Sequence, residues 1–234
     1  MMRPMKLGGE QIMFGQGCLE HIKTLKGKRA VVVTGGSSMK KSGILQKVVD
    51  YLAEAAIESR IFSGVEPDPS FSTVKKGAEA MLEFNPDIII GLGGGSAMDA
   101  AKAMWVFYEH PELKSIQDIL PPNTLPKMRQ KAILVCIPST SGTASEVSRS
   151  FVITDDETHT KIGYGNMELV PDIAICDPEV TLTMPPGITA ETGMDAMTHA
   201  VEALVSRRAN YVSDILVRAA IKDIVEYLPK AYRE

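Results

Sequence analysis

The sequence lacks any apolar run that approaches the roughly 18 residues needed to cross a bilayer. Its N-terminus also lacks the apolar segment of a secretory signal peptide. The formal net charge is only −4, and no basic helix suits a nucleic-acid backbone or a membrane surface. These absences argue against membrane-spanning, exported and nucleic-acid-binding proteins. We therefore expect a soluble cytoplasmic protein with neither a nucleic acid nor a membrane as its partner.

Cysteine is scarce and gives no disulfide framework. The chain has 3 cysteines, Cys18, Cys136 and Cys176, which are odd in number and far apart in sequence. Cys136 and Cys176 each lie inside an apolar run, where a buried, reduced thiol is the expected state. This predicts a reducing compartment, in agreement with a cytoplasmic location.

What is present is an ordinary globular composition, with 44% hydrophobic and 23% charged residues over 234 positions. Short apolar runs alternate with segments of helical spacing, which is typical of a largely parallel sheet with helices on both faces. The fold class we predict is therefore α/β. Predicted strands cover residues 30–34, 60–63, 87–92, 132–137 and 172–177, with an antiparallel pair at 151–154 and 161–164, and predicted helices cover 44–57, 71–84 and 96–108. Residues 1–28 are predicted to be irregular, with a hairpin or turns at their glycines, and 110–131 a long surface connection.

The pattern changes at Pro185-Pro186-Gly187. Beyond this point no strand pattern occurs, and residues 190–206 and 212–232 both keep helical spacing. We therefore predict one domain over residues 1–186, which is α/β. A second, all-helical domain begins at residue 187 and continues to residue 234.

A glycine-rich turn is the most informative stretch of the chain. Residues 87–102 read as a buried strand, consecutive glycines and a helix, with Gly94, Gly95 and Ser96 at the turn. Backbone amides and the positive end of the helix dipole at such a turn attract a phosphate. Glycines there can take positive φ, and Ser96 and Asp99 are placed to cap the helix. Only part of the dinucleotide fingerprint is present, because Ser96 stands where its third glycine belongs, so a plain turn remains an alternative.

Two further loops follow predicted strands. Ser139, Thr140 and Thr143 belong to a run of small residues that can offer hydroxyls and amides to phosphate or ribose oxygens, although such runs are also ordinary loops. Parallel strands end at the same edge of a sheet, so this loop and the glycine turn point to one crevice.

The other loop contains Gly35, Gly36, Ser37 and Ser38. An acid at such a strand end would hydrogen-bond the ribose of NAD and repel a 2′-phosphate. Glycines and hydroxyls, followed by lysines, favour NADP over NAD, although the loop could be a plain exposed turn.

A possible metal-binding pair lies on the helix predicted at 190–206. Asp195 and His199 are four residues apart, so both side chains share one helix face and can approach one ion. Apolar neighbours suggest that this face is enclosed, although a helix-surface pair or a core histidine is the simpler interpretation. Two ligands are too few for a divalent metal, which needs three or four from the protein.

Together these residues resemble the iron-containing (group III) alcohol dehydrogenases, including the alcohol dehydrogenase part of aldehyde–alcohol dehydrogenases. The motifs are residues 86–102, 137–147 and 193–203. The resemblance implies a dinucleotide-binding domain followed by a helical metal-binding domain. It also implies phosphate contacts at Gly94, Gly95 and Ser96, a second cofactor loop at Ser139, Thr140 and Thr143, a ribose-side lysine at Lys161, and metal ligands Asp195 and His199. Gly35 takes the place of the acid that selects NAD, as in NADP-preferring members.

The activity that this resemblance implies is reversible hydride transfer between a primary alcohol or aldehyde and NADP or NAD. The metal, Fe²⁺ or alternatively zinc, would act as a Lewis acid, and the cofactor would carry the hydride. Family members are longer and supply two further metal-binding histidines, so the chain is expected to be an N-terminal portion with exposed apolar surface at 190–206. We also expect a homo-oligomer, as a dimer. A polyol (glycerol-type) or dehydroquinate-synthase-like enzyme and a non-catalytic nucleotide-binding fragment remain alternatives.

Overall fold

The computed structural model describes residues 7–233. The chain forms two compact units, which we name the sheet unit and the helical unit. The described part of the sheet unit comprises residues 7–138 and 145–180, and that of the helical unit comprises 139–144 and 181–233. The single boundary near residue 186 stays a prediction.

A six-stranded parallel sheet forms the centre of the sheet unit, which confirms the predicted fold class. The strand order is β1-β8-β5-β4-β2-β3. The six strands are β1 (Gln11–Phe14), β2 (Arg29–Thr34), β3 (Glu58–Phe62), β4 (Ile88–Gly93), β5 (Ile133–Pro138) and β8 (Ile173–Cys176), while β6 (Ser150–Thr154) and β7 (Lys161–Gly165) form the predicted antiparallel pair. Buried β-branched residues on both faces explain why β2, β4 and β5 read as continuous apolar runs.

The helices are α1 (Ser38–Lys41), α2 (Ile44–Glu54), α3 (Phe71–Phe84), α4 (Gly95–Glu109), α5 (Pro186–Val205) and α6 (Tyr211–Arg233). The apolar side chains of α2 share one core cluster with one sheet face, and those of α3 and α4 share another with the opposite face. α3 begins where the Ser70 hydroxyl accepts the Thr73 amide, and it ends at Asn85 with a φ of 56°. α4 also contacts α3 and β6, which leaves it buried along most of its length.

Two predictions about irregular segments are wrong. Within the supposedly irregular N-terminal segment, β1 pairs with β8 and residues 18–24 form a 3-10 helix; residues 1–6 lie outside the described range. β1 was missed because it is only four residues long, so its apolar residues Ile12, Met13 and Phe14 are too few to indicate a strand. The connection 110–131 contributes Ile116, Ile119 and Met128 to the core, so it is not simply a surface loop.

In the helical unit, α5 and α6 pack against each other. Gly193 makes the close approach possible, because an added Cβ there would lie 2.3 Å from a methyl carbon of Leu228. Over the described residues, no helix combines the length and the apolar character that a membrane crossing requires.

Candidate functional site

The first candidate site lies where the order of the strands in the sheet reverses direction. β2 lies between β3 on one side and β4 on the other. The chain leaves β2 toward β3 in one direction across the sheet, and it leaves β3 toward β4 in the opposite direction. In open α/β sheets, ligands bind outside the carboxyl ends of the strands at such a point. The loops after β2 and β4 meet at this position.

A cavity of about 200 Å³ lies between these two loops. Six of the predicted cofactor residues line it: Gly35, Gly36, Ser38, Gly94, Gly95 and Ser96. Ser37 precedes α1 directly as its N-cap residue. The structure thus brings the glycine turn and the loop after β2 to one pocket, which we name the glycine pocket.

The backbone of the glycine turn differs from the prediction in detail. Only Gly93 has positive φ, at 144°, whereas Gly94 has a φ of −75° and is the N-cap residue of α4. Ser96 is therefore not the N-cap, because the helix already begins at Gly95. The amides of Gly95 and Ser96 at the start of α4 have no earlier helical carbonyl to bond, and both residues line the pocket.

Ser96 and Lys161 are linked through Asp68. The Ser96 hydroxyl accepts the Asp68 amide at 3.3 Å, and the Asp68 carboxylate lies 2.8 Å from the Lys161 ammonium. Both charged side chains are more than half exposed, so the pair adds little stability. The pair instead fixes the position of Lys161, because it ties this lysine of β7 to Asp68, whose amide is bonded to Ser96 in the glycine pocket.

Asp99 does not cap α4. Its carboxylate accepts the Ser145 hydroxyl at 2.6 Å and the Val152 amide at 2.9 Å. Burial raises the pKa of Asp99, although these hydrogen bonds and the charge of Lys102 oppose the shift. The Asp99 carboxylate therefore does not point to the N-terminus of α4, so it places no negative charge where a phosphate would bind.

The loop at 139–144 lies against α5 within the helical unit. An added Cβ at Gly142 would come within 2.7 Å of the Thr192 carbonyl oxygen, so only glycine allows this approach. Thr192 precedes Asp195 by one helical turn. Ser139, Thr140 and Thr143 thus lie in the same unit as the predicted metal ligands, whereas the glycine pocket belongs to the sheet unit.

Asp195 and His199 face each other on α5, with 3.6 Å between carboxylate oxygen and imidazole nitrogen. Their side chains are 42% and 58% exposed, so the predicted enclosed face is wrong for the described residues. The cause is that α5 approaches α6 at Gly193, and Asp195 and His199 are not among the residues that α5 buries.

The pair fits a divalent metal in ligand type but not in number. No group of three or more His, Cys, Asp or Glu residues that could hold an ion occurs within residues 7–233. Three or four protein ligands are usual, so these residues supply at most part of a metal site.

The sequence analysis did not include the loop after β3 in the candidate site. Val65 and Pro67 line the glycine pocket, and Asp68 carries the link to Lys161. A signal was available, because β3 is a parallel neighbour of β2 and its carboxyl end must lie at the same sheet edge.

Comparison with known proteins agrees with this geometry. Residues 9–178 match the family described as iron-containing alcohol dehydrogenase. The chain belongs to this family. Residues 189–234 match the C-terminal region of the Fe-containing alcohol dehydrogenase family; this range covers most of α5 and all of α6.

Individual members of the family are similar over nearly the whole chain. The NADPH-dependent butanol dehydrogenase of Clostridium saccharobutylicum is 53% identical over 94% of this chain and 57% of its own length. The bifunctional aldehyde-alcohol dehydrogenase AdhE of Escherichia coli K12 is 42% identical over 92% of this chain and 25% of its own. The iron-containing alcohol dehydrogenase of Thermococcus thioreducens has a TM-score of 0.90 at 32% identity, covering 98% of this chain and 61% of its own. The chain thus spans between a quarter and about three fifths of these proteins.

Proposed function

We propose that the protein transfers a hydride between a primary alcohol or aldehyde and a nicotinamide dinucleotide. The observation that carries this proposal is the glycine pocket at the divergence of β2, β3 and β4, since that is where α/β sheets bind dinucleotides. Family membership supports the reaction class. The cofactor supplies the hydride chemistry, and the residues of the chain bind and orient it.

NADP is the proposed cofactor, with NAD as the alternative. Gly35, Gly36 and Ser38 line the pocket where an NAD-selecting acid would otherwise stand. Without a carboxylate there, a 2′-phosphate meets no repulsion and can accept hydrogen bonds from amides and hydroxyls. We assign Ser37 to the same contact, Gly94, Gly95 and Ser96 to the pyrophosphate, and Ser139, Thr140, Thr143 and Lys161 to the remaining cofactor oxygens.

For the metal, we assign Asp195 and His199 as two of the ligands of Fe²⁺, with zinc as the alternative. Their facing arrangement on α5 supports the assignment. Because the described residues supply only this pair, we infer that the 234-residue chain binds cofactor but is weak or inactive as a catalyst.

The test has two measurements on the same chain. Titration with NADPH and NADH, followed by nicotinamide fluorescence, should give saturable binding that is tighter for NADPH. An assay of aldehyde reduction with NADPH and added Fe²⁺ should give little turnover. Absence of binding to either cofactor would overturn the proposed function, whereas robust turnover would overturn only the inference of inactivity.

The alternatives give different outcomes in the same experiments. Activity with glycerol in a panel of alcohols would favour a polyol dehydrogenase, and activity with a sugar-acid phosphate would favour a dehydroquinate-synthase-like enzyme. Cofactor binding with no bound metal by elemental analysis would favour a nucleotide-binding fragment. Dimer formation, to be measured by light scattering, and a cytoplasmic location complete the proposal.

A further inference from the structure

A fully buried lysine on α4 has no part in the proposed chemistry. Lys102 has 0% of its surface exposed. Its ammonium donates to the carbonyl oxygens of Ser145, Ser148 and Ser150 at 2.7, 2.9 and 2.8 Å. A buried charge is costly unless it is fully hydrogen-bonded, and these contacts meet that need. All of them lie on the segment that leads into β6, within the sheet unit.

The hairpin of β6 and β7 depends on its surroundings for stability. The two strands pair only with each other, separately from the six-stranded sheet. A two-stranded hairpin alone is marginally stable at best in water. One face of β6 buries Phe151 and Ile153 in the core cluster that also contains most of the buried side chains of α4. One edge of β6 pairs with β7, so its other edge needs a different partner.

Two side chains of α4 bond this second edge of β6. The Ser150 carbonyl oxygen accepts the Lys102 ammonium at 2.8 Å, and the Val152 amide donates to the Asp99 carboxylate at 2.9 Å. Lys102 and Asp99 are three residues apart on α4, so they lie on one face of this helix. They occupy the place that a third strand would take.

The same edge continues to the glycine pocket. The Thr154 amide donates to the Pro69 carbonyl oxygen at 2.8 Å, and the Thr154 hydroxyl donates to the Asp68 carbonyl oxygen at 3.1 Å. Thr154 is the β6 residue opposite Lys161 in β7. The hairpin thus reaches the loop after β3 at the residue whose carboxylate pairs with Lys161.

We propose that Lys102 is a positioning residue that, together with Asp99, fixes the β6–β7 hairpin on α4 and so keeps Lys161 where it can bind the cofactor. The inference rests on the proposed function, which assigns Lys161 to the cofactor, and extends it. Loss of the Lys102 ammonium would leave three carbonyl groups without this donor, so β6 would shift and Lys161 would move with it.

The first measurement is the Kd for NADPH, followed by nicotinamide fluorescence. Lys161→Met and Lys102→Met should each raise it by roughly tenfold, because both remove the same contact with the cofactor. Lys76→Met, which alters an exposed lysine on α3, is the matched control and should stay within about twofold of wild type. An unchanged Kd in Lys102→Met, or in Lys161→Met, would overturn the positioning role.

The double variant distinguishes positioning of Lys161 from a general effect on the fold. If Lys102 acts through Lys161, Lys102→Met adds little once Lys161 is gone, so the double variant should stay within about threefold of Lys161→Met. Independent effects would multiply to roughly 100-fold over wild type and would overturn the proposal. Should Lys102→Met fail to fold, Asp99→Asn, which removes one of the two accepting oxygens, replaces it in the same comparison.

Hydrogen exchange supplies a readout that needs no cofactor. In Lys102→Met or Asp99→Asn, amide exchange should accelerate within residues 150–165, while β2 and β4 keep their protection. Unchanged exchange in 150–165 would overturn the role of Lys102. If wild type binds no NADPH, the proposed function fails and this role fails with it; if wild type binds NADPH and Lys102→Met matches it, only the role of Lys102 fails.

Discussion

The sheet unit and the helix pair α5–α6 bury their apolar residues to very different extents. β4 and α4 are lined by side chains that are almost entirely enclosed, such as Ile90, Met104 and Trp105 at 0% exposure. On α5 and α6, Ile215, Leu216 and Val225 are 51%, 51% and 63% exposed. The predicted apolar surface along 190–206 is likewise confirmed, with Met194 at 55% and Val205 at 76%.

This difference has a physical consequence for stability and for binding. A parallel sheet with helices on both faces covers its apolar residues within the unit, so its folding free energy comes from its own packing. Two helices that each bury only one apolar stripe gain much less folding free energy from packing. The glycine pocket is therefore built on a well-packed scaffold, whereas Asp195 and His199 stand on an element with little packing to hold them.

The largest expected effect is the stability contrast between two isoleucines. Ile90→Ala in β4 should lower the free energy of unfolding by about 2–5 kcal/mol, because it removes fully buried atoms and leaves a cavity. Ile215→Ala in α6 should change it by about 0.5 kcal/mol or less, since the side chain is half exposed. Urea denaturation of both variants measures the contrast, and similar losses would show that the two regions do not differ as described.

The second largest expected effect is a change in cofactor preference caused by a charge placed in the glycine pocket. Gly35→Asp should shift the ratio of NADPH to NADH affinity toward NADH by roughly 100-fold, because the carboxylate repels a 2′-phosphate. The site can accept a side chain, since the nearest atom to an added Cβ, the Val65 carbonyl oxygen, lies 3.4 Å away. Gly35→Asn is the matched control for size without charge, and it should change the ratio far less.

A smaller effect is expected at the exposed pair on α5. The chain should bind Zn²⁺ weakly, because two ligands alone hold a divalent ion poorly. His199→Ala should weaken that binding by roughly tenfold, whereas Glu202→Ala, an exposed acid on the same helix, should not. Isothermal titration measures both. Equal affinities in the three proteins would remove Asp195 and His199 from the assignment.

The smallest expected effect comes from a buried thiol in the sheet unit. Burial raises the pKa of Cys136 from 9.0 to about 12. The folded state therefore keeps the proton longer than the unfolded state, so this contribution to stability is complete below pH 9 and declines as the pH rises toward 12. Between pH 8 and 9.5 the loss should be about 1 kcal/mol. Unfolding curves of wild type and Cys136→Ala at both pH values measure the difference, and parallel pH dependences would contradict the prediction.

Most of the sheet unit could be predicted from the sequence, and the exceptions have identifiable causes. Helix α3 was predicted at its observed bounds, 71–84, because its apolar residues keep a helical spacing along one face. Strand β1 was missed because its apolar run of three residues, Ile12 to Phe14, is too short to indicate a strand. The contacts of Lys102 could not be predicted, since they join residues 43 to 48 positions apart.

By itself, the sequence determined the alternation of strands and helices, the glycine turn and the spacing of Asp195 and His199, because these are local patterns of residue size, polarity and period. Only the tertiary structure decided that the loops after β2, β3 and β4 share one pocket, that Asp99 turns away from the helix N-terminus, and that the α5 pair is exposed. Each of these depends on which distant segments pack together. Such packing depends on which surfaces are buried in the whole fold, so it cannot be predicted from the residues of one short sequence segment.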